Sequence, residues 1–319
     1  MNLKALRQRF SSTAPASPEE APPIQLPEPE TQAPAATPPA PLTALPAVSH
    51  WIDPDPWIDF STVPMAHSVE NYRERDVLPI PPTANREGYH GERHYDYWLS
   101  GLKDYLQIKA RTAPLLPTFE HGVAVLDFGC ASGRVLRHFL CQEPAAQLWG
   151  CDLNLEHIRW GVKFLGSRPR FFPNTTQPTL PIEDNALDLI YAMSVFTHID
   201  DYELTWLAEL RRILKPGGVA YITVHTDHTW QVIGPNHALY YALMWLKDKE
   251  TGYDISDELF AAPMPEERIA FTWAVGDHRE ANVFHSQAYL HAQWGKFFHI
   301  VDFVPEGSDY QDVVILQKR

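Results

Sequence analysis

Val125-Leu126-Asp127-Phe128-Gly129-Cys130-Ala131-Ser132-Gly133-Arg134-Val135-Leu136 decides the fold. An apolar run suited to a buried strand ends in an acid, passes through a turn punctuated by glycine, and continues into a helical pattern. Glycine lets the backbone turn sharply and lets a cofactor approach without a Cβ clash. The helix start brings N–H groups that no intrahelical carbonyl satisfies. A strand, glycine turn and helix in this order predict a loop that binds a nucleotide-like cofactor, with Asp127 facing a donor-rich or cationic part of it.

Outward from this loop, short apolar runs alternate with amphipathic stretches: Val123 to Phe128, Gln147 to Asp152, Arg170 to Phe172, Leu187 to Met193, Val219 to His225, Phe298 to Phe303 and Asp312 to Gln317. Seven strands interleaved with helices predict an α/β fold, a doubly wound and mostly parallel Rossmann-like sheet. Only Pro305-Glu306-Gly307-Ser308 separates the last two runs, so these form an antiparallel hairpin at one edge. Asp152 closes the second run about twenty residues past the turn, where an acid accepts bonds from both ribose hydroxyls. The plainer role for Asp152 is a helix N-cap, which Asn154 serves as well.

The N-terminal third reads differently. Residues 1–48 are rich in Pro, Ala, Thr, Ser and Glu and bury too little apolar surface to offset chain entropy, which predicts a disordered or extended tail. Leu3, Leu6 and Phe10 share one helical face with Lys4, Arg7 and Arg9 nearby; a frayed tail is the plain reading and a partner contact the alternative. Residues 49–118 carry an extended strap, Trp51-Ile52-Asp53-Pro54-Asp55-Pro56-Trp57-Ile58-Asp59-Phe60, whose two tryptophans are expected to strap the core. A helix follows in which Tyr95, Trp98, Leu99, Leu102, Tyr105, Leu106 and Ile108 recur at helical spacing. Residues 119–319 are expected to form one domain around the glycine loop. A long insertion at about 226–281, with Trp230, His237, Tyr240, Tyr241, Trp245 and Trp273, is expected to be a substrate lid.

The formal net charge of −14 argues against nucleic acid as a partner. The three cysteines, Cys130, Cys141 and Cys151, have neither zinc nor disulfide spacing, so no metal is expected and the thiols are read as reduced. No apolar run reaches the roughly 18 residues of a membrane span, and the first residues lack a secretory core, which predicts a cytoplasmic protein.

From Val123 to Arg319 the sequence resembles the class I S-adenosylmethionine-dependent methyltransferase superfamily. The resemblance rests on the loop Leu126-Asp127-Phe128-Gly129-Cys130-Ala131-Ser132-Gly133, on Asp152, on Leu180-Pro181-Ile182-Glu183-Asp184-Asn185-Ala186-Leu187-Asp188-Leu189-Ile190, and on Leu210-Arg211-Arg212-Ile213-Leu214-Lys215-Pro216-Gly217-Gly218-Val219. It implies S-adenosyl-L-methionine as cofactor, with Gly129 and Gly133 on its methionine and ribose side, Asp127 near its amino group, Asp152 on the ribose and Asn174 at the adenine. Phe128, Cys130, Leu153 and Ser194 complete the cofactor-side set. Ala131 departs from the family's middle glycine and narrows that space by one methyl group. Ser194-Val195-Phe196-Thr197-His198-Ile199 and the C-terminal segment are similar to a bacterial subgroup, type 11/12-like, that modifies small molecules and glycans.

The implied reaction is methyl transfer to a small-molecule or glycan acceptor, at a hydroxyl. Transfer at a sulfonium carbon needs alignment and desolvation, and a base only where the acceptor loses a proton. His198, His225 and His285 are the candidate bases, though for each alone a hydrogen-bonded structural histidine is the plainer reading. Two other readings compete. One is a cofactor-binding scaffold without turnover. The other is a nicotinamide-dependent oxidoreductase, disfavoured because the loop lacks the G-x-G-x-x-G pattern.

Overall fold

The computed structural model describes residues 46–49, 57–275 and 278–319. The basic face around Leu3, Leu6 and Phe10, nearly all of the Pro/Ala-rich tail, and Trp51 with most of the Trp-Ile-Asp repeat lie outside the described residues.

Helices α1 (Val69–Glu74) and α2 (His94–Thr112) precede the sheet. Strands β1 (Ala124–Phe128), β2 (Gln147–Asp152), β3 (Arg170–Pro173), β4 (Leu187–Ala192) and β5 (Leu214–Thr226) follow, all parallel, in the spatial order β3-β2-β1-β4-β5. Helices α3 (Leu136–Gln142), α4 (Leu155–Phe164) and α5 (Glu203–Ile213) make the crossovers. Beyond β5 lie β9 (Gln311–Gln317), antiparallel to it, and β8 (His299–Ser308), paired antiparallel with β9. All seven expected strands and the edge hairpin are therefore present.

Both faces of this sheet are covered, which is why its strands read as unbroken apolar runs. Alternation sends Val125, Leu189, Tyr191, Val219 and Val313 into one core with Leu102, Leu106 and Phe139 of α2 and α3. Leu126, Ile190, Ala220, Ile222 and Val314 enter the other, against Trp206, Leu207 and Leu210 of α5. Leu290 and Trp294, from and just after α9 (Gln287–Gln293), close that second core. Trp57 departs from the strapping expectation. Its ring is 75% exposed beneath the Arg93 guanidinium, while Ile58 and Phe60 pack on the core in its place.

The insertion after β5 has its own architecture. It holds α6 (Asp227–Val232), α7 (Ala238–Met244), α8 (Asp257–Ala261) and β6 (Arg268–Val275), the last hairpinned with β7 (His278–His285). The end of β7 pairs with the end of β5, so two further strands join the sheet. Trp230, Leu239, Leu243, Leu246, Ile255, Phe260, Ile269, Phe271 and Phe284 form a third core beneath these helices. Trp230 and Trp273 are thus buried packing residues, whereas Tyr241 and Trp245 are exposed. Among the described residues no helix is long and apolar enough to cross a membrane.

Candidate active site

The glycine loop leaves β1 under tight backbone control. Gly129 and Cys130 both donate their N–H to the Cys151 carbonyl at 2.9 Å, and Gly133 donates to Cys130 at 2.8 Å. Gly129 and Gly133 have φ of 80° and 78°, the left-handed region that favours glycine. A Cβ on either would also strike protein, at 2.4 Å from Val195 and Leu165 respectively. The glycines therefore serve the chain's own turn and packing as well as any approach by a ligand. The expected free N–H groups are largely engaged: Ala131 N–H binds an Asp152 oxygen at 2.8 Å, and the Leu136 N–H is turned toward Asp127. Ala131 itself has φ of 44°, a strained value for a residue with a Cβ.

Asp127 is 3% exposed at the end of β1. Burial pushes its carboxyl up to about 7, with nearby Asp152 adding to the rise and Tyr191 and Arg134 only partly opposing it. Arg134 is already committed to Asp104 at 2.7 Å. Among the described residues Asp127 thus has no cation committed to it, and charge burial of this kind is common at functional sites.

Asp152 closes β2 and does more than the sequence indicated. One oxygen accepts the Ala131 N–H, and the other accepts the Asn154 N–H at 2.8 Å. Burial would raise its carboxyl, but His157 and these two N–H groups outweigh that and hold it below the usual range. Each oxygen keeps a lone pair for a further donor. Asn154, as expected, caps α4 by accepting the Glu156 N–H. Leu153, beside Asp152, is 60% exposed.

Asn174 follows β3, where its N–H binds the Asp152 carbonyl at 3.1 Å. Its side-chain Oδ1 is buried without a hydrogen-bond partner, an acceptor waiting for a donor. Ser194, after β4, has φ of 55°; its hydroxyl accepts from Tyr89 and donates to Gln311, each at 3.1 Å. Phe128 and Cys130 are buried in the loop's interior, and the Cys130 Sγ bonds to the Ala131 carbonyl. All three cysteines are free thiols.

The three histidines separate. His198 is exposed, and its Nδ1 lies 2.7 Å from the Ala281 carbonyl. A carbonyl only accepts, so Nδ1 carries the hydrogen and Nε2 is the basic nitrogen. His225 is 2% exposed, packed between Phe284 and Tyr310, and burial drives its pKa well below the ordinary value. His285 is fully buried, with Nε2 3.1 Å from Glu203, in a network that also takes Arg268 and Trp294. The His285 ring also lies against Tyr289 and Trp294, inside the packing rather than on an open face.

Sequence reasoning missed His157 and Glu87. His157 is 2% exposed, with Nε2 3.1 Å from Glu87 and Nδ1 3.7 Å from Asp152. Its place on α4 gave a faint signal, being one helical turn past Asn154, but nothing in the chain order announces Glu87.

Residues 126–220 match the model of a methyltransferase domain. The ubiquinone/menaquinone biosynthesis C-methyltransferase UbiE of Burkholderia multivorans is 28% identical over 136 residues, covering 40% of this chain and 54% of that protein. The chain thus spans about half the length of that relative. A solved S-adenosylmethionine-dependent methyltransferase from Clostridium acetobutylicum aligns over 70% of this chain and 92% of its own, at 15% identity and a TM-score of 0.46. The PH0226 protein of Pyrococcus horikoshii aligns over 67% and 91%, at 20% identity and a TM-score of 0.42. The domain match over residues 126–220, with acids closing β1 and β2, agrees with the sequence resemblance to class I S-adenosylmethionine-dependent methyltransferases.

Proposed function

We propose that this protein transfers the methyl group of S-adenosylmethionine to a small-molecule or glycan acceptor, at a hydroxyl. The observation that carries the reading is the placement of Asp127, Asp152 and Asn174 at the carboxyl ends of neighbouring parallel strands, where open α/β sheets bind ligands. Asp127 offers charge for the cationic amino-acid end of the donor, Asp152 offers lone pairs for the ribose diol, and the unpartnered Asn174 Oδ1 accepts from the adenine amine. Bound there, the donor supplies an electrophilic methyl group. The chain's own part is to align donor and acceptor, exclude water and receive a proton.

His198 is the residue for that last step. Its Nδ1–H is fixed on Ala281 of β7, so the insertion's hairpin sets the ring's tautomer and leaves Nε2 basic. A base so placed takes the acceptor's proton as oxygen attacks, typically worth about 10²–10⁴ in rate. The similarity to UbiE favours a second reading, a carbon acceptor, in which the same nitrogen removes a proton from carbon.

The test is an acceptor screen read by mass spectrometry, with the methylated atom of any product fixed by NMR. His198→Ala is expected to lower turnover by about 10²–10⁴ with donor affinity kept. His225→Ala, at a buried position, is expected to act through stability. Normal turnover in both variants and in the double variant would remove the base from the proposal. Donor binding with no product from any acceptor class would favour a scaffold without turnover.

A further inference from the structure

The segment between Thr83 and His94 crosses the glycine loop and is fastened at both ends. Ser132 of the loop donates its hydroxyl to the Asn85 carbonyl at 2.9 Å, and the Tyr89 hydroxyl reaches Ser194 after β4. The buried Arg86 guanidinium bonds the Pro81 and Gly91 carbonyls, gathering the segment's base. Four residues here hold left-handed backbone: Glu87 at 49°, Gly88 at 77°, His90 at 58° and Gly91 at 46°. For Glu87 and His90 such conformations persist only where surrounding contacts enforce them.

At the centre of the crossing, Glu87 meets His157. Glu87 offers only acceptors, so the His157 Nε2, 3.1 Å away, carries a hydrogen. The opposite nitrogen, Nδ1, is buried with no hydrogen-bond partner, 3.7 Å from Asp152 Oδ1. One imidazole therefore lies between the crossing segment on one side and the acid that closes β2 on the other. Asn154 reinforces the junction by reaching toward Glu87 at 3.5 Å.

We propose that His157 is a positioning residue that couples the 83–94 segment to Asp152, so that binding of the methyl donor and docking of the segment strengthen each other. This rests on the reading that Asp152 holds the donor's ribose. Coupling of this kind is reciprocal: whatever docks the segment raises donor affinity, and the donor stabilises the docked segment by the same factor. His157 touches neither donor nor acceptor; it acts through the carboxylate.

The experiment uses the full chain and S-adenosylmethionine itself, with affinity from calorimetry and hydrogen exchange followed at the amides of residues 85–91. His157→Asn keeps an amide toward Asp152 but not toward Glu87, and His157→Gln keeps one toward Glu87 but not Asp152. Glu87→Gln, at a side chain 56% exposed, removes the charge without disturbing the core. All three are expected to bind the donor about 3- to 10-fold more weakly. In wild type the donor slows exchange across residues 85–91; in the variants that protection shrinks. Wild-type affinity and protection in Glu87→Gln together with either His157 variant would overturn the coupling, and a lowered melting temperature alone would assign His157 a packing role only. Asp152→Ala separates the two claims. If wild type fails to bind, or Asp152→Ala binds as wild type does, the ribose assignment falls and the coupling with it.

Discussion

Two buried carboxylates, one in the glycine loop and one at the root of the insertion, have opposite fates. Glu203, at the start of α5, is 4% exposed, yet its pKa falls to about 2. Burial alone would raise it; the hydrogen bonds from His285 and Trp294 and the charge of Arg268 overcome that. Asp127 is as deeply buried and rises to about 7. The first carboxylate has its partners in the chain, binding α5, β6, β7 and the end of α9 into one piece. The second has Tyr191 and the Leu136 N–H turned toward it, but among the described residues no cation is committed to it. A buried carboxylate with matched donors and a cation is held ionised, and one without a committed cation is pushed toward its neutral form.

The comparison can be broken most forcefully at Glu203. Glu203→Gln removes the buried charge facing Arg268, which keeps Asp200 at 3.1 Å, and is expected to cost about 2–3 kcal/mol, measured by urea unfolding. Because the folded pKa lies below the unfolded value of 4.5, the ionised carboxylate's contribution is complete above pH 4.5. It is lost as pH falls toward 2. An acid-unfolding curve whose midpoint is the same in wild type and variant would refute this.

Asp127→Asn should do the reverse to stability. Here the folded pKa is above the unfolded value of 3.8, so the contribution is fully present below 3.8 and is lost as pH rises through about 7. At pH 8 the folded state then bears a cost on the order of 4 kcal/mol. An asparagine that still needs partners recovers part of it, so the ligand-free variant is expected to gain about 1–3 kcal/mol at pH 8 and little at pH 4. Donor affinity should fall, and its rise between pH 6 and 8 should disappear. A variant less stable than wild type at pH 8 would show that Asp127 is matched after all.

The smallest effect belongs to the loop's backbone. Ala131→Gly relieves a Cβ held at φ of 44° and should stabilise the chain by up to about 1 kcal/mol, less glycine's greater freedom when unfolded. It should also leave Gly129 and Gly133 undisturbed, so donor binding stays or improves. A loss of stability would mean that the Ala131 methyl packs rather than strains.

Much of the glycine-loop region could be read along the chain, because its information is local. A strand buried on both faces is an unbroken apolar run, a left-handed turn asks for glycine at Gly129 and Gly133, and a parallel sheet sets Asp152 a crossover's length beyond the turn. The insertion resisted the same reading. Trp230 and Trp273 read in sequence only as aromatic residues of an expected lid; Phe260, Phe271 and Phe284 surround Trp230, and the third core takes in both. Strands β6 and β7 pair with each other along their whole length and, at the end of β7, with the end of β5, which the chain order alone does not announce. His198, His225 and His285 are equivalent in sequence, each near a strand end. Only the packing makes one exposed with a fixed tautomer, one sealed between aromatic rings and one paired with Glu203. The sequence by itself determined the strand succession, the turn and the acids that end β1 and β2, since each follows from periodicity and backbone sterics within a few residues. The tertiary structure alone decided which buried charges are matched, which histidine stays free and that Glu87 reaches Asp152 through His157, because burial and pairing depend on residues distant in the chain.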